Sequence, residues 1–150
     1  MHSSLIHVIA RAVVIIDDLV LLAHCKGASN TFLPGGHIEY GETAIAAVKR
    51  EVIEEFKLQL EIIRYLGTIE HAYYNNEMLE HEVNLCFLGS LPNLKTADTI
   101  ESKEDHLEFC WVSVNELAKH NLMPFPLQRL IPELVKNNDH QIWFESTIKD

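Results

Sequence analysis

A chain of 150 residues, 47% hydrophobic and 23% charged, has the make-up of an ordinary globular protein and the length of one domain with a sizeable core. Its 22 acids against 12 bases give a formal charge of −10, which disfavours a surface that grips long nucleic acid by its phosphates. The opening MHSSLIHVIA lacks the basic start and long apolar core of a signal peptide, and no later apolar run approaches bilayer length, so the expectation is a cytoplasmic protein with no membrane partner.

Leu5 to Ile16 is rich in Ile and Val and predicts a long strand, Asp17-Asp18 a tight turn, and Leu19 to Cys25 the hairpin partner. Residues 26–31 read as a loop, and Phe32-Leu33 as a short strand that enters the turn Pro34-Gly35-Gly36. From Thr43 to about Phe56 there is no Gly or Pro, and Ile45, Val48, Val52 and Phe56 fall at the spacing of one buried helical stripe. Glu61 to Tyr74 predicts a strand with room for a bulge at Gly67, Asn75-Asn76-Glu77 a turn, and Glu80 to Leu88 the return strand. Residues 91–106 are polar and mixed, a loop carrying the acids Asp98, Glu101, Glu104 and Asp105. Leu107 to Val112 predicts a last strand. Ser113 with Glu116 three residues on has the form of a capping box for a short helix through His120, and Pro126 opens another helix over Leu127 to about Lys136. In the tail from Asn137, Ile142, Trp143 and Phe144 call for packing against something. Strands, a helix, more strands and a late helix make an α+β domain spanning 1–150.

The residues that carry chemistry lie between Leu33 and Leu58. Pro34, Gly35, Gly36 and Gly41 give a backbone that approaches a ligand closely and offers its N–H and C=O groups, which suits phosphate. The helix that follows sets Glu51, Glu54 and Glu55 within an arc of about 100°, so three carboxylates crowd one edge and repel unless something positive neutralises them. A divalent cation does so, since hard cations such as Mg2+ are held by a few carboxylate oxygens, waters and substrate phosphates. Glu42, at the helix start, has Arg50 as its basic partner.

Gly36, five residues, Glu42, seven residues and Arg50-Glu51-Val52-Ile53-Glu54-Glu55-Phe56-Lys57-Leu58 resemble the signature of the Nudix hydrolases, GX5EX7REUXEEXGU, with U a bulky aliphatic residue. A pair of adjacent glutamates on a helix is usually a solvated face, but six matched glycine and charged positions at fixed spacing are hard to obtain by chance. The departure is Lys57 where the family has Gly; a left-handed Lys should cost about 1 kcal/mol or shift the helix end. The resemblance implies an α/β/α sandwich with a mixed central β-sheet. It also implies Mg2+ or Mn2+ on Glu51, Glu54, Glu55 and the carbonyl of Gly35, with Arg50 orienting the glutamates. A general base from outside the motif is common in the family, and Glu104 is the leading candidate ahead of Glu101 and Glu108. The expected reaction is hydrolysis of a nucleoside diphosphate linked to a moiety X: a nucleoside triphosphate, ADP-ribose or another nucleotide sugar, or a dinucleoside polyphosphate. The alternative is a non-catalytic Nudix domain that binds a nucleotide as a sensor. The intact glutamate set favours the enzyme, because a binding-only domain could lose those charges. A homodimer matches what is common among relatives.

Outside the motif the readings stay open. Gly35 and Gly36 suit substrate phosphate, and Arg11 either reaches a phosphate or base from the sheet or lies on an exposed face. Phe32, Tyr73 and Tyr74 could stack on a base, though aromatics in strands are more often core. His81 beside Glu82 is weighted toward a structural role. Cys25, Cys86 and Cys110, an odd number without CxxC spacing, suit reduced thiols. The loops 26–31, 75–80 and 89–106 should set the choice of substrate.

Overall fold

A computed structural model describes residues 4–137 and 140–150; the first three residues of the opening and residues 138–139 of the tail lie outside it. The strands are β1 (Ile6–Ile16), β2 (Leu19–Cys25), β3 (Gly35–His37), β4 (Glu61–Asn75), β5 (Met78–Ser90), β6 (Leu107–Ser113) and β7 (Trp143–Ser146), and the helices are α1 (Ala44–Phe56) and α2 (Leu127–Asn137). They form one open mixed sheet in the order β6-β2-β1-β5-β4-β7, with β3 pairing β1. β1 runs parallel to β5, and β7 parallel to β4; the other ladders are antiparallel. Among the described residues no helix is long and apolar enough to cross a membrane.

Strand alternation explains how the sheet is clothed on both faces. Ala10, Ala12 and Val14 point to one side and join Ala47, Val48, Val52 and Phe56 of α1; Val13 points to the other and joins Leu127, Leu130, Ile131 and Leu134 of α2. The alanines at 10 and 12 let α1 lie close to β1. Each fully buried Val or Phe on that stripe contributes about 1.5–3 kcal/mol. The helix thus fixes the glycine loop before it against the middle of the sheet.

Most expected elements form, with four corrections. Ile45 is exposed, and the buried stripe of α1 runs through Ala47, Val48, Val52, Glu55 and Phe56 instead. The short strand at the glycine turn is Gly35–His37, paired with β1, while Phe32 makes only an isolated bridge to Ala23. Residues 114–121 are a run of turns, not a helix: the Ser113 hydroxyl accepts from the N–H of Asn115 rather than that of Glu116. Thr31 draws the segment to β2, its hydroxyl donating to the His120 carbonyl at 2.8 Å and its N–H to that of Asn121 at 3.2 Å. In the tail, Trp143 is partly buried against the core, but Ile142 and Phe144 stay exposed. The register of β4 slips between Tyr65 and Gly67, where a Cβ on Gly67 would sit 2.3 Å from the Trp143 carbonyl oxygen, so only glycine lets β7 dock there.

Candidate active site

The glycine loop and α1 meet through a single arginine. Arg50 grips Glu42 in a two-pronged pair, Nε to Oε2 at 2.8 Å and Nη2 to Oε1 at 2.9 Å. Its Nη1 donates to Glu51 Oε1 at 2.9 Å and, more loosely, to Glu54 Oε2 at 3.3 Å, while Nη2 also donates to the His37 carbonyl at 3.1 Å. These contacts hold the Arg50 charge more firmly than in water, and Arg50 pulls the Glu42 carboxyl below the usual carboxylate range. One planar cation thereby ties the loop, the helix start and two motif glutamates into a fixed set.

Glycine is required twice in this loop, for different reasons. Gly35 adopts φ +141°, and a Cβ there would lie 2.0 Å from the Ala10 carbonyl oxygen of β1. Gly36 has no such backbone demand, but its Cβ would fall 2.4 Å from the carboxyl carbon of Glu51. Its missing side chain is what lets the Glu51 carboxylate lie against the loop.

Glu55 differs from its neighbours because its side chain enters the core-facing stripe; it is only 4% exposed. Burial pushes its carboxyl up to about 8, opposed by the positive charge of Arg11 and a hydrogen bond from the Gly35 backbone, and reinforced by the negative charges of Glu51 and Glu104. Its Oε2 is buried without a hydrogen-bond partner. A carboxylate oxygen in that state calls for a proton or a cation. Among the described residues no three acidic, histidine or cysteine side chains converge closely enough to enclose an ion as they stand. Arg50 accounts for part of that spread, since it holds Glu51 and Glu54 on its own donors. The chemistry of the donor set, three carboxylates and a glycine-loop backbone, fits a hard divalent cation.

Glu104 is brought to the same place from the loop 91–106. The Lys103 N–H donates to the Glu55 carbonyl at 2.7 Å, and the Ser102 hydroxyl brackets Glu104 by accepting from its N–H and donating to its C=O. Glu101 instead pairs with Lys103, and Glu108 with His24. Arg11 lies between the carboxylates and a cavity of about 630 Å3 lined by Phe32, His71, Tyr73 and Glu82 among others. It is fixed by donating to the Leu33 carbonyl at 3.0 Å and packs over the Phe32 ring. Tyr74, by contrast, is 76% exposed and is not part of the cavity's lining. The larger cavity of about 670 Å3 lies at the β6 edge among His24, Lys26 and Lys119, away from the motif glutamates.

Sequence reasoning passed over Glu82 and Asn84. Asn84 is 1% exposed, accepts from Arg11 Nε at 3.4 Å and donates to Glu82 Oε2 at 3.2 Å. The signal for them was the alternation Glu82-Val83-Asn84-Leu85-Cys86, which reads as a half-solvated strand, but here Glu82 lines the cavity and Asn84 is buried behind it.

Residues 6–134 match the family model of the NUDIX domain. No curated protein matches the chain. Among solved structures, a UDP-X diphosphatase superposes with a TM-score of 0.68 at 15% identity, covering 97% of this chain and 69% of that one. The MutT NUDIX hydrolase from Burkholderia pseudomallei gives 0.61 at 25% identity, over 74% of this chain and 85% of that one. The dihydroneopterin triphosphate pyrophosphohydrolase of E. coli gives 0.62 at 22% identity, over 87% and 95%. With the signature's glycine and charged positions filled from Gly36 to Glu55 and the family model spanning most of its length, the chain belongs to the NUDIX domain family.

Proposed function

We propose that the protein is a Mg2+- or Mn2+-dependent hydrolase that cleaves the diphosphate linkage of a nucleoside diphosphate joined to a moiety X. The observation that carries this reading is the unpartnered Oε2 of buried Glu55 beside Glu51 and the glycine loop. A neutral or apolar residue would cost less at that position, so the carboxylate is retained for what it binds. Glu51, Glu54 and Glu55 with the Gly35 carbonyl would hold the cation. When bound, it neutralises phosphate oxygens and makes an attacking water more acidic.

The chain's own residues do the rest. Arg50 positions the glutamates and keeps the loop and helix in one geometry. The Gly35 and Gly36 backbone lies against the substrate phosphates, and Arg11 takes the phosphate nearest the cavity. Glu104 accepts the proton of the water that attacks phosphorus; the bridging P–O bond then breaks and the leaving phosphate carries away the electron pair. The anchoring of its loop on the Glu55 carbonyl supports that role.

Release of phosphate or nucleoside monophosphate from nucleoside triphosphates, ADP-ribose, nucleotide sugars and dinucleoside polyphosphates tests the reading when wild type and Glu54→Gln are compared. Glu54 is half exposed and its pairing with Arg50 is loose, so Gln keeps the fold; turnover should fall by at least about a hundredfold. A fully active or unfolded Glu54→Gln protein would refute the assignment.

A further inference from the structure

The cavity beyond Arg11 has a chemistry more specific than its size. Its volume of about 630 Å3 is ample for a heterocycle with its sugar, and its aromatic lining is Phe32, with Arg11 over its ring, and Tyr73, stacked on His71. Its anionic group is Glu82, on β5 beside His71 of β4. The Tyr73 hydroxyl donates to one Glu82 oxygen at 3.2 Å and Asn84 Nδ2 to the other at 3.2 Å. Asn84 is itself buried and fixed by the Ile69 carbonyl and by Arg11, so one oxygen of the carboxylate is held by a side chain that is locked in place. Each of its oxygens keeps a lone pair for a guest.

A carboxylate accepts and never donates, which separates the heterocycles by their edges. A 2-amino-4-oxopyrimidine ring places a ring N–H beside an exocyclic NH2, two adjacent donors that match two carboxylate oxygens. Adenine and cytosine place one amino group beside a ring nitrogen that acts as an acceptor, and uracil flanks its single N–H with two carbonyl oxygens; all three set a lone pair against the carboxylate. Hypoxanthine keeps the N–H but lacks the amino group. Phosphate is repelled outright, so a nucleotide enters base first and leaves its phosphates on the Arg11 and glycine-loop side.

We infer that Glu82 makes this cavity a recognition site for a 2-amino-4-oxopyrimidine ring, the edge shared by guanine and pterins, held by two charge-assisted hydrogen bonds to its carboxylate. The inference rests on the proposed function for where the phosphates lie, but the base selection is a property of the cavity alone.

Calorimetric binding of GMP, IMP, AMP, CMP and UMP to the metal-free protein tests it without turnover. GMP should bind at least about tenfold more tightly than IMP, the loss expected when one charge-assisted hydrogen bond is removed. AMP, CMP and UMP should be weaker still. In Glu82→Gln the GMP to IMP ratio should fall below about threefold, while Tyr73→Phe, which keeps the carboxylate, should retain discrimination. Then kcat/KM for GTP, ITP and dihydroneopterin triphosphate assigns the source: the better of the first and third identifies a guanine nucleotide or a pterin. Equal binding of GMP and IMP, a preference for AMP or UMP, no binding of any of the five, or an unchanged ratio in Glu82→Gln overturns the inference. Selective GMP binding with no turnover of any substrate would instead leave it standing and refute the hydrolase.

Discussion

Gly36 shows how a missing methyl group can position a charge. The backbone there is ordinary, yet a Cβ would sit 2.4 Å from the Glu51 carboxyl carbon. Gly36→Ala should therefore fold, displace the Glu51 carboxylate, and lower kcat by at least about tenfold with a melting temperature near that of the wild type. Gly35→Ala is the contrast: φ +141° and a 2.0 Å approach to the Ala10 carbonyl oxygen put the damage in the fold itself, and thermal unfolding should register a loss of at least about 2 kcal/mol. Equal melting temperatures for the two variants would contradict this division. Residues at this scale were legible wherever charge and spacing acted together, as with Glu42, just before the N-cap of α1, and Arg50, about two turns into the helix. Glu82 and Asn84 were not, because a polar residue on alternate strand positions looks the same whether it faces water, a cavity or the interior.

The end of α1 is where an element-level rule is broken and tolerated. Lys57 takes the left-handed conformation, φ 59° and ψ 27°, with its N–H donating to the Ile53 carbonyl at 2.9 Å. The helix end has not shifted; the side chain bears the conformational cost in place. Lys57→Gly should raise stability by about 1 kcal/mol, or about 2–4 °C in melting temperature for a protein this size, with turnover unchanged. A lower melting temperature would mean that Lys57 makes a compensating contact. Long elements with one strong period, such as β1, β2 and α1, could be read directly from the sequence. The segment after β6 could not, because its local helix signal competes with hydrogen bonds from Thr31, about 90 residues earlier in the chain. Such partners are invisible to local patterns.

Across the whole molecule, the sheet separates two apolar layers, and Cys86 sits fully buried in the layer under α2. Burial pushes its thiol up to about 12. Because the folded pKa is raised, the thiol form favours the native state below the ordinary cysteine range near 9, and that contribution is lost as pH climbs from there toward 12. At pH 8 an aromatic disulfide reagent should modify partly exposed Cys25 within the native protein, while Cys86 reacts only at the rate of global opening. Three thiols reacting together in native buffer would contradict the packing. The α+β class was legible from the order of strands and helices, and the two-faced sheet only through the resemblance carried by the motif. The course of residues 91–106 was not: it depends on the Trp111 indole donating to the Asp98 carbonyl and on Lys103 docking at Glu55, two contacts without a local signature.

The central claim is that the carboxylates gathered around the glycine loop act through a divalent cation on a diphosphate linkage. The most direct measurement is turnover of the nucleoside diphosphate derivatives by chelator-stripped protein, before and after addition of Mg2+ or Mn2+. The account predicts no measurable product without the ion, recovery on its addition, and no recovery in Glu54→Gln. Equal turnover by the stripped wild-type protein would contradict it.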